Sequence, residues 1–288
     1  TYVEGGIYNA TINVYDTDNG VRSETDPISA KATVGTTIRV NDAPLTSVGA
    51  PITISTTSTG ATIYEGSSTG SVSVATFQDA NTFAHAGDFS ATINWGDPGN
   101  PHGSTSTGSV QPTGTPGLFN VFGVHTYVEE GSYPVTVTIN DTNVTPPIVG
   151  SSTVATNTTI KVTDAPLVAV NTPKVTIPLL AGVPSGTVTT GQFIDEDPNG
   201  QGGTPALTSD YYAVIYWGDG SSSTATGFVT TPTTYNGNPA TLVNVLGSHT
   251  YASGGAYQII VLVYDTEGVQ APSSNLAVIL STTAVVTA

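Results

Sequence analysis

At 288 residues the chain has room for two or three ordinary domains, each with its own core. Five Lys and Arg stand against 21 Asp and Glu, and the formal net charge of -16 excludes nucleic acid and anionic membrane surfaces as partners, since both need a basic face. Cysteine and methionine are absent, and no apolar run approaches the ~18 residues of a membrane helix, so membrane insertion by a helix is excluded as well.

The composition, rich in Thr, Ser, Gly, Val and Asn and lacking Lys and Arg after Lys174, points to an extracellular or cell-surface protein whose domains stand on their cores rather than on disulfides. A start without methionine is expected of a processed product or a fragment, with any export signal removed or lying elsewhere.

In chain order, the first recognisable element is Thr1 to Asp16, where Tyr2 and Tyr8 stand six apart and an alternating run ends on aspartate. The same run returns at Thr126 to Asp141 and at Thr250 to Asp265. Two strands are expected first, Ile7 to Asp16 and Ile28 to Val40. Asp42-Ala43-Pro44-Leu45 recurs 122 residues later at Asp164-Ala165-Pro166-Leu167, and Trp95-Gly96-Asp97 recurs at Trp217-Gly218-Asp219 with the same shift. The period predicts a partial unit over 1–46 and two full units over 47–167 and 168–288. Extra strands are expected within Pro51 to Gln78 and Lys174 to Phe193, leading to Asp79 and Asp195. Phe89, Ala91, Ile93 and Trp95 alternate with Ser90, Thr92 and Asn94, and Tyr133, Val135, Val137 and Ile139 alternate with Pro134, Thr136, Thr138 and Asn140. Such period-two runs, bounded by turn residues and without a helical pattern between them, predict an all-β fold of tandem sandwiches.

Three motifs in fixed order then carry a resemblance. A strand ending in Trp217-Gly218-Asp219-Gly220, the triplet His249-Thr250-Tyr251, and Gly255-x-Tyr257 opening a strand that ends at Asp265 resemble the polycystic kidney disease (PKD) domain, and the unit before it repeats them at Trp95, His125 and Gly131. Pro98 stands where the family turn has its second glycine, and the 122-residue period exceeds the family's compact size. The resemblance implies tandem immunoglobulin-like β-sandwich domains, the first incomplete, in an extracellular bacterial or archaeal surface protein that binds or spaces without catalysis.

Candidate chemistry is sparse. His125 and His249 occupy equivalent repeat positions, which favours a structural role in which the imidazole bonds a neighbouring backbone group over catalysis; no cofactor is required. The repeated carboxylates Asp79, Asp88, Asp141, Asp195, Asp197, Asp210 and Asp265 admit two readings. As turn residues each would accept its own backbone N–H groups. As hard oxygen ligands gathered at one end of a sandwich they would suit calcium. Asp97 and Asp219, inside the tight turns, belong to the first reading. Asn9, Asn140, Asn143 and Asn157 match the N-glycosylation pattern, a short pattern in a Thr-rich chain.

One asymmetry between the units stands out. Where the second unit carries Ser90, Thr92, Asn94, Thr136, Thr138 and Asn140 on its outer face, the third carries Tyr212, Val214, Tyr216, Ile260, Leu262 and Tyr264 beside Gln258. An apolar outer face must be covered, by long loops such as 199–209 or 231–238 or by another molecule, and another copy of the chain is preferred. The hairpin expected at the start, with Tyr8, Ala10, Ile12 and Val14 on one face, is a second apolar surface awaiting a partner. Head-to-tail contact between the two predicts a structural fibre. The alternative is an adhesin or polysaccharide-binding module that reads a cell-surface protein or glycan through Tyr211, Tyr212 and Tyr235.

Overall fold

The computed structural model describes residues 2–15, 31–50, 52–98, 100, 103–143, 150, 152–170, 176–197, 208, 211–265 and 276–288; side chains at 154–157, 176 and 276 are also outside the description. Three bodies follow one another. The first is a hairpin of β1 (Gly6–Tyr15) and β2 (Lys31–Val40), antiparallel with Tyr8 opposite Ile38 and Ile12 opposite Val34. Asp16 and Ile28 lie outside the described residues.

The central body contains β3 (Leu45–Val48), β4 (Ile52–Ile54), β5 (Val72–Asp79), β6 (Phe89–Asn94), β7 (Thr105–Pro112), β8 (Leu118–Gly123), β9 (Gly131–Asp141) and β10 (Ser152–Val162). They run in the order β3-β5-β8-β7-β6-β9-β10-β4. β7 joins the two layers, pairing with β6 through Thr105 to Gly108 and with β8 through Ser109 to Pro112. The C-terminal body repeats the arrangement with β11 (Leu167–Ala169), β12 (Thr176–Leu180), β13 (Val188–Asp195), β14 (Tyr211–Tyr216), β15 (Ser222–Thr224), β16 (Gly227–Tyr235), β17 (Asn238–Gly247), β18 (Gly255–Asp265) and β19 (Leu276–Thr287). Here the joining strand is broken between β15 and β16: Ala225 donates its N–H to Ala213 in one layer and Thr226 donates to Leu246 in the other. Two sheets result, β11-β13-β17-β16 and β12-β19-β18-β14-β15.

Alternation decides which residues go inside. Along β6 and β9 the side chains of Phe89, Ala91, Ile93, Val135, Val137 and Ile139 are buried while their neighbours face outward. They meet Phe77, Phe119 and Val121 of the opposite layer. The C-terminal core is built alike from Ala213, Ile215, Val261 and Val263 against Phe193, Val243 and Val245. Burial of such side chains, about 1.5–3 kcal/mol each, is the main stabilising term in both bodies.

Candidate functional site

The repeated motifs converge on one arrangement in each sandwich. Trp95 ends β6 fully buried, its indole donating to Ser106 Oγ at 2.9 Å, and Trp217 does the same to Ser223 Oγ at 3.1 Å. The His125 ring stacks on Trp95 at 5.0 Å, and His249 stacks on Trp217 at 4.8 Å. Each imidazole reaches the carboxylate of the Trp-Gly-Asp turn, 3.3 Å from His125 Nε2 to Asp97 and 2.7 Å from His249 Nε2 to Asp219. Each imidazole thus has a carboxylate partner, because stacking on Trp holds the ring over the turn that carries the aspartate. Tyr127 and Tyr251 donate back to the Trp95 and Trp217 carbonyls at 3.1 and 2.9 Å. The second tyrosine of each motif closes a local loop, Tyr133 onto the Glu129 carbonyl and Tyr257 onto Ser253, as Tyr8 does onto Glu4 in the hairpin.

Ser221 Oγ also lies 3.4 Å from His249 Nε2, but that is the nitrogen already bonded to Asp219. A serine nucleophile needs the base's two nitrogens divided between serine and aspartate, so this trio is a turn brace and not a catalytic triad. The hydrogen bonds from Ser221 and His249 overcome the desolvation of Asp219 and hold its carboxyl at about 2.

The other carboxylates gather where bodies meet. β6 and β9 are antiparallel with Phe89 opposite Asp141, which places Asp88 and Asp141 at one end of the central sandwich. Most act on local backbone: Asn81 donates its N–H to Asp79, Asn143 to Asp141, His85 to Asp88 and Asp197 to Asp195. They also face one another. Burial, and then the charges of Asp88, Asp141, Asp79 and Asp42, raise the Glu4 carboxyl. Burial pushes Asp79 up to about 6 against the pull of the Asn81 N–H, and Asp141 rises for the same kind of reason. The hairpin is tied to this end by Asn81, whose amide donates to the Val3 carbonyl at 2.6 Å.

At the next junction Asp195 is driven by burial to about 7 although Tyr211 O–H donates to it at 2.5 Å. Glu65, which sequence reading passed over, is buried there and accepts the N–H groups of Ala165 and Glu130; burial raises its carboxyl strongly. Oxygens of Glu65, Glu129 and Glu130 lie within 4.8 Å of one another. Ala165 belongs to a run that repeats at Asp42 to Leu45, but Glu65 itself lies in a stretch without alternation, so no periodic signal announced it. Asp265 ends β18; Asp210 lies outside the described residues.

The outer face of the β12-β19-β18-β14-β15 sheet is apolar and, among the described residues, partly exposed, with Tyr212, Val214, Leu262 and Tyr264 half-buried. Tyr212 pairs with Tyr264, Val214 with Leu262 and Tyr216 with Ile260, and Leu262 continues across to Ile279. Tyr216 is 46% exposed, Ile260 37% and Ile279 56%. The stretch 231–238 does not cover them, because it belongs to β16 and its turn in the other sheet. The stretch 199–209 lies outside the described residues except Thr208. On the hairpin, Tyr8 and Ala10 are half-buried whereas Ile12, Val14 and Val34 on the same face are 52–54% exposed.

This chain is an all-β protein of tandem immunoglobulin-like sandwiches. No family model matches it, and no curated protein matches it. Among solved structures it is similar to a protocadherin gammaB7 EC3-6 cis-dimer, at 15% identity and a TM-score of 0.32, covering 97% of this chain and 58% of that one. It is also similar to mouse cadherin-23 EC22-24, at 13% identity and a TM-score of 0.31 over 99% and 75% of the two chains. An endo-fucoidan hydrolase of glycoside hydrolase family 107 is similar at 11% identity and a TM-score of 0.28, over 99% and 42%. The chain thus spans 58% of the protocadherin's length. At these scores the likeness assigns this chain no partner and no activity.

Of the remaining candidates, Tyr211 is corrected: it is buried between Phe193 and Phe228 and cannot meet a ligand, because its position on β14 points inward. Asn9 and Asn140 are exposed on strands, and the Asn143 amide donates to Asp88. The Asn157 side chain lies outside the description. No described helix is long and apolar enough to cross a membrane.

Proposed function

We propose that the chain is a non-catalytic structural protein of the cell exterior whose copies join through the apolar sheet face of the C-terminal sandwich. The observation that carries this reading is the contrast between two equivalent surfaces: serine, threonine and asparagine on the outer face of β6 and β9, tyrosine, valine, isoleucine and leucine on that of β14 and β18. Side chains of that kind left in water mark a contact surface. The proposed occupant is the Tyr8, Ala10, Ile12 and Val14 face of the hairpin of another copy. Contact between unlike surfaces propagates, giving a fibre or an extended surface array. The units behind it are 1–46, 47–167 and 168–288, with the first completed by the neighbour. Electron microscopy of the purified chain at increasing concentration tests this: filaments or ordered arrays are expected, and dispersed monomers throughout would end the reading.

A second element concerns cations. Burial first, and then the charges of their neighbours, raise the proton affinity of the carboxylates at the hairpin junction, so negative charge is held close there. Calcium is the proposed counter-ion, on oxygens of Asp79, Asp88 and Asp141 with Glu4 and Asp42 nearby, and on Asp195, Asp197, Asp210 and Asp265 at the next junction. In the first set Asp79, Asp88 and Asp141 each keep oxygen lone pairs beyond those given to backbone N–H groups, which fits a hard cation. A rise in unfolding temperature with millimolar calcium, absent with an equal ionic strength of sodium, is expected; equal effects of the two salts would remove calcium from the account.

A further inference from the structure

We infer that the cleft between the central and C-terminal sandwiches binds a neutral saccharide. The cleft encloses about 470 Å³, within the range of small-ligand sites, and its two walls come from different bodies. Tyr64 and Ser67 belong to the segment between β4 and β5; Glu196 follows β13; Tyr235 and Asn238 flank the turn between β16 and β17.

Both walls are held firmly. Asn236 and Gly237 adopt φ of 50° and 84°, the left-handed pair that a two-residue hairpin turn requires, so Tyr235 and Asn238 are paired directly across the tip. On the opposite wall Tyr64 bridges to Thr163, its carbonyl accepts the Ser67 N–H, and Gly66 N–H bonds the Tyr127 carbonyl at 2.8 Å. The main chain that carries Tyr64 and Tyr235 is therefore fixed on each wall independently of the other.

Among the described residues, no hydrogen bond engages the hydroxyls of Tyr64 and Tyr235, the Ser67 hydroxyl, the Glu196 carboxylate or the Asn238 amide. The set offers aromatic surface for the apolar face of a sugar ring, a carboxylate and an amide oxygen to accept from ring hydroxyls, and hydroxyl and amide groups to donate. Among the described residues no Lys, Arg or His lines the cleft, and the chain carries -16, so phosphate, sulfate and uronate groups are disfavoured. Among the described residues a single carboxylate, Glu196, lines it, which suits holding a glycan. The outer face of β14 and β18 contributes nothing to this cleft, and the inference stands apart from the self-association reading.

The test titrates the full chain with neutral tetrasaccharides built from glucose, mannose, galactose or N-acetylglucosamine, with a sulfated oligosaccharide and a lysine-rich peptide alongside, followed by NMR. Binding of at least one neutral tetrasaccharide with Kd of about 0.1–1 mM is expected. Tyr235→Ala and Tyr64→Ala should each weaken it about tenfold with unfolding temperature unchanged, and Glu196→Gln should weaken it less, whereas Ile260→Lys on the outer sheet should leave it intact. The inference is overturned if no neutral sugar binds at about 10 mM, if only the peptide or the sulfated sugar binds, or if the Tyr64→Ala/Tyr235→Ala double variant binds as the parent does.

Discussion

The central and C-terminal sandwiches share a tryptophan, histidine, aspartate and tyrosine brace, differing in that Asn100 serves the aspartate of one and Ser221 that of the other, yet they differ far more on the face that the brace leaves outside. Inside, β6 and β9 match β14 and β18 in apolar character position for position, with exchanges such as Val135 for Ile259 and Ile139 for Val263, because each position must fill similar space against the opposite layer. Outside, one sheet reads Thr92 and Thr138 where the other reads Val214 and Leu262. A polar face is stable in water by itself. An apolar one is stable only when covered, so under the proposed function assembly falls to one body and spacing to the other.

The sharpest way to break the shared half of this comparison is at the turn glycines. Gly96 and Gly218 have φ of 72° and 82°, and a Cβ would lie 2.4 Å from the Pro134 carbonyl oxygen and 2.5 Å from that of Gln258. Gly96→Ala and Gly218→Ala should each cost about 3 kcal/mol or more, through both strain and collision, as read by denaturant unfolding of the affected body. Equal tolerance of alanine at both turns would show that the brace is not what fixes them.

The histidines should separate the two bodies. His125 and Asp97 have side chains only 7% and 11% exposed, and Asn100 donates to the same Asp97 oxygen at 2.6 Å. His249 and Asp219 are 17% and 23% exposed. His125→Ala is expected to cost about 2–3 kcal/mol, and His249→Ala about 1–2, because water can replace the lost partner only at the second site. Smaller still, Tyr127→Phe and Tyr251→Phe remove one hydrogen bond each and should cost about 1 kcal/mol apiece.

Of comparable size is the predicted effect of pH. Asp79 and Asp195 have folded pKa values of about 6 and about 7 against 3.8 in the open chain, so the folded state holds extra protons between those limits. Their contribution is present below pH 3.8 and is lost as pH rises through 6 and 7. Asp219 acts in the opposite sense, losing stability only as pH falls from 3.8 toward 2. The unfolding temperature should therefore be a few degrees higher at pH 5 than at pH 7.5, and calcium should flatten that slope by replacing the protons. A steady rise in stability from pH 5 to 7.5 would contradict the arrangement at the junctions.

Much of this was legible because β-strands write their two faces in alternate letters. Ile93, Val137 and Ile139 announced a buried face, and the 122-residue repeat announced two like bodies. The strands before Asp79 and Asp195 were readable for the same reason. What was hidden depends on contacts between distant segments. The partner of His125 is set by stacking on Trp95, whereas the inward place of Tyr211 was legible from its alternation with Tyr212. Glu65 sits in a stretch without alternation, and its role arises solely from where Ala165 and Glu130 arrive. The cleft at Tyr64 and Tyr235 needed two bodies to be placed side by side, which no local pattern encodes.

The central claim is that the apolar sheet of the C-terminal sandwich joins copies of the chain. Analytical ultracentrifugation of the parent beside Ile260→Lys/Leu262→Lys tests it most directly, with Thr136→Lys/Thr138→Lys on the central sheet as the matched control. Concentration-dependent association of the parent and the control, abolished in the first variant while its circular dichroism is unchanged, is the predicted result; association that survives both outward-facing lysines would contradict it.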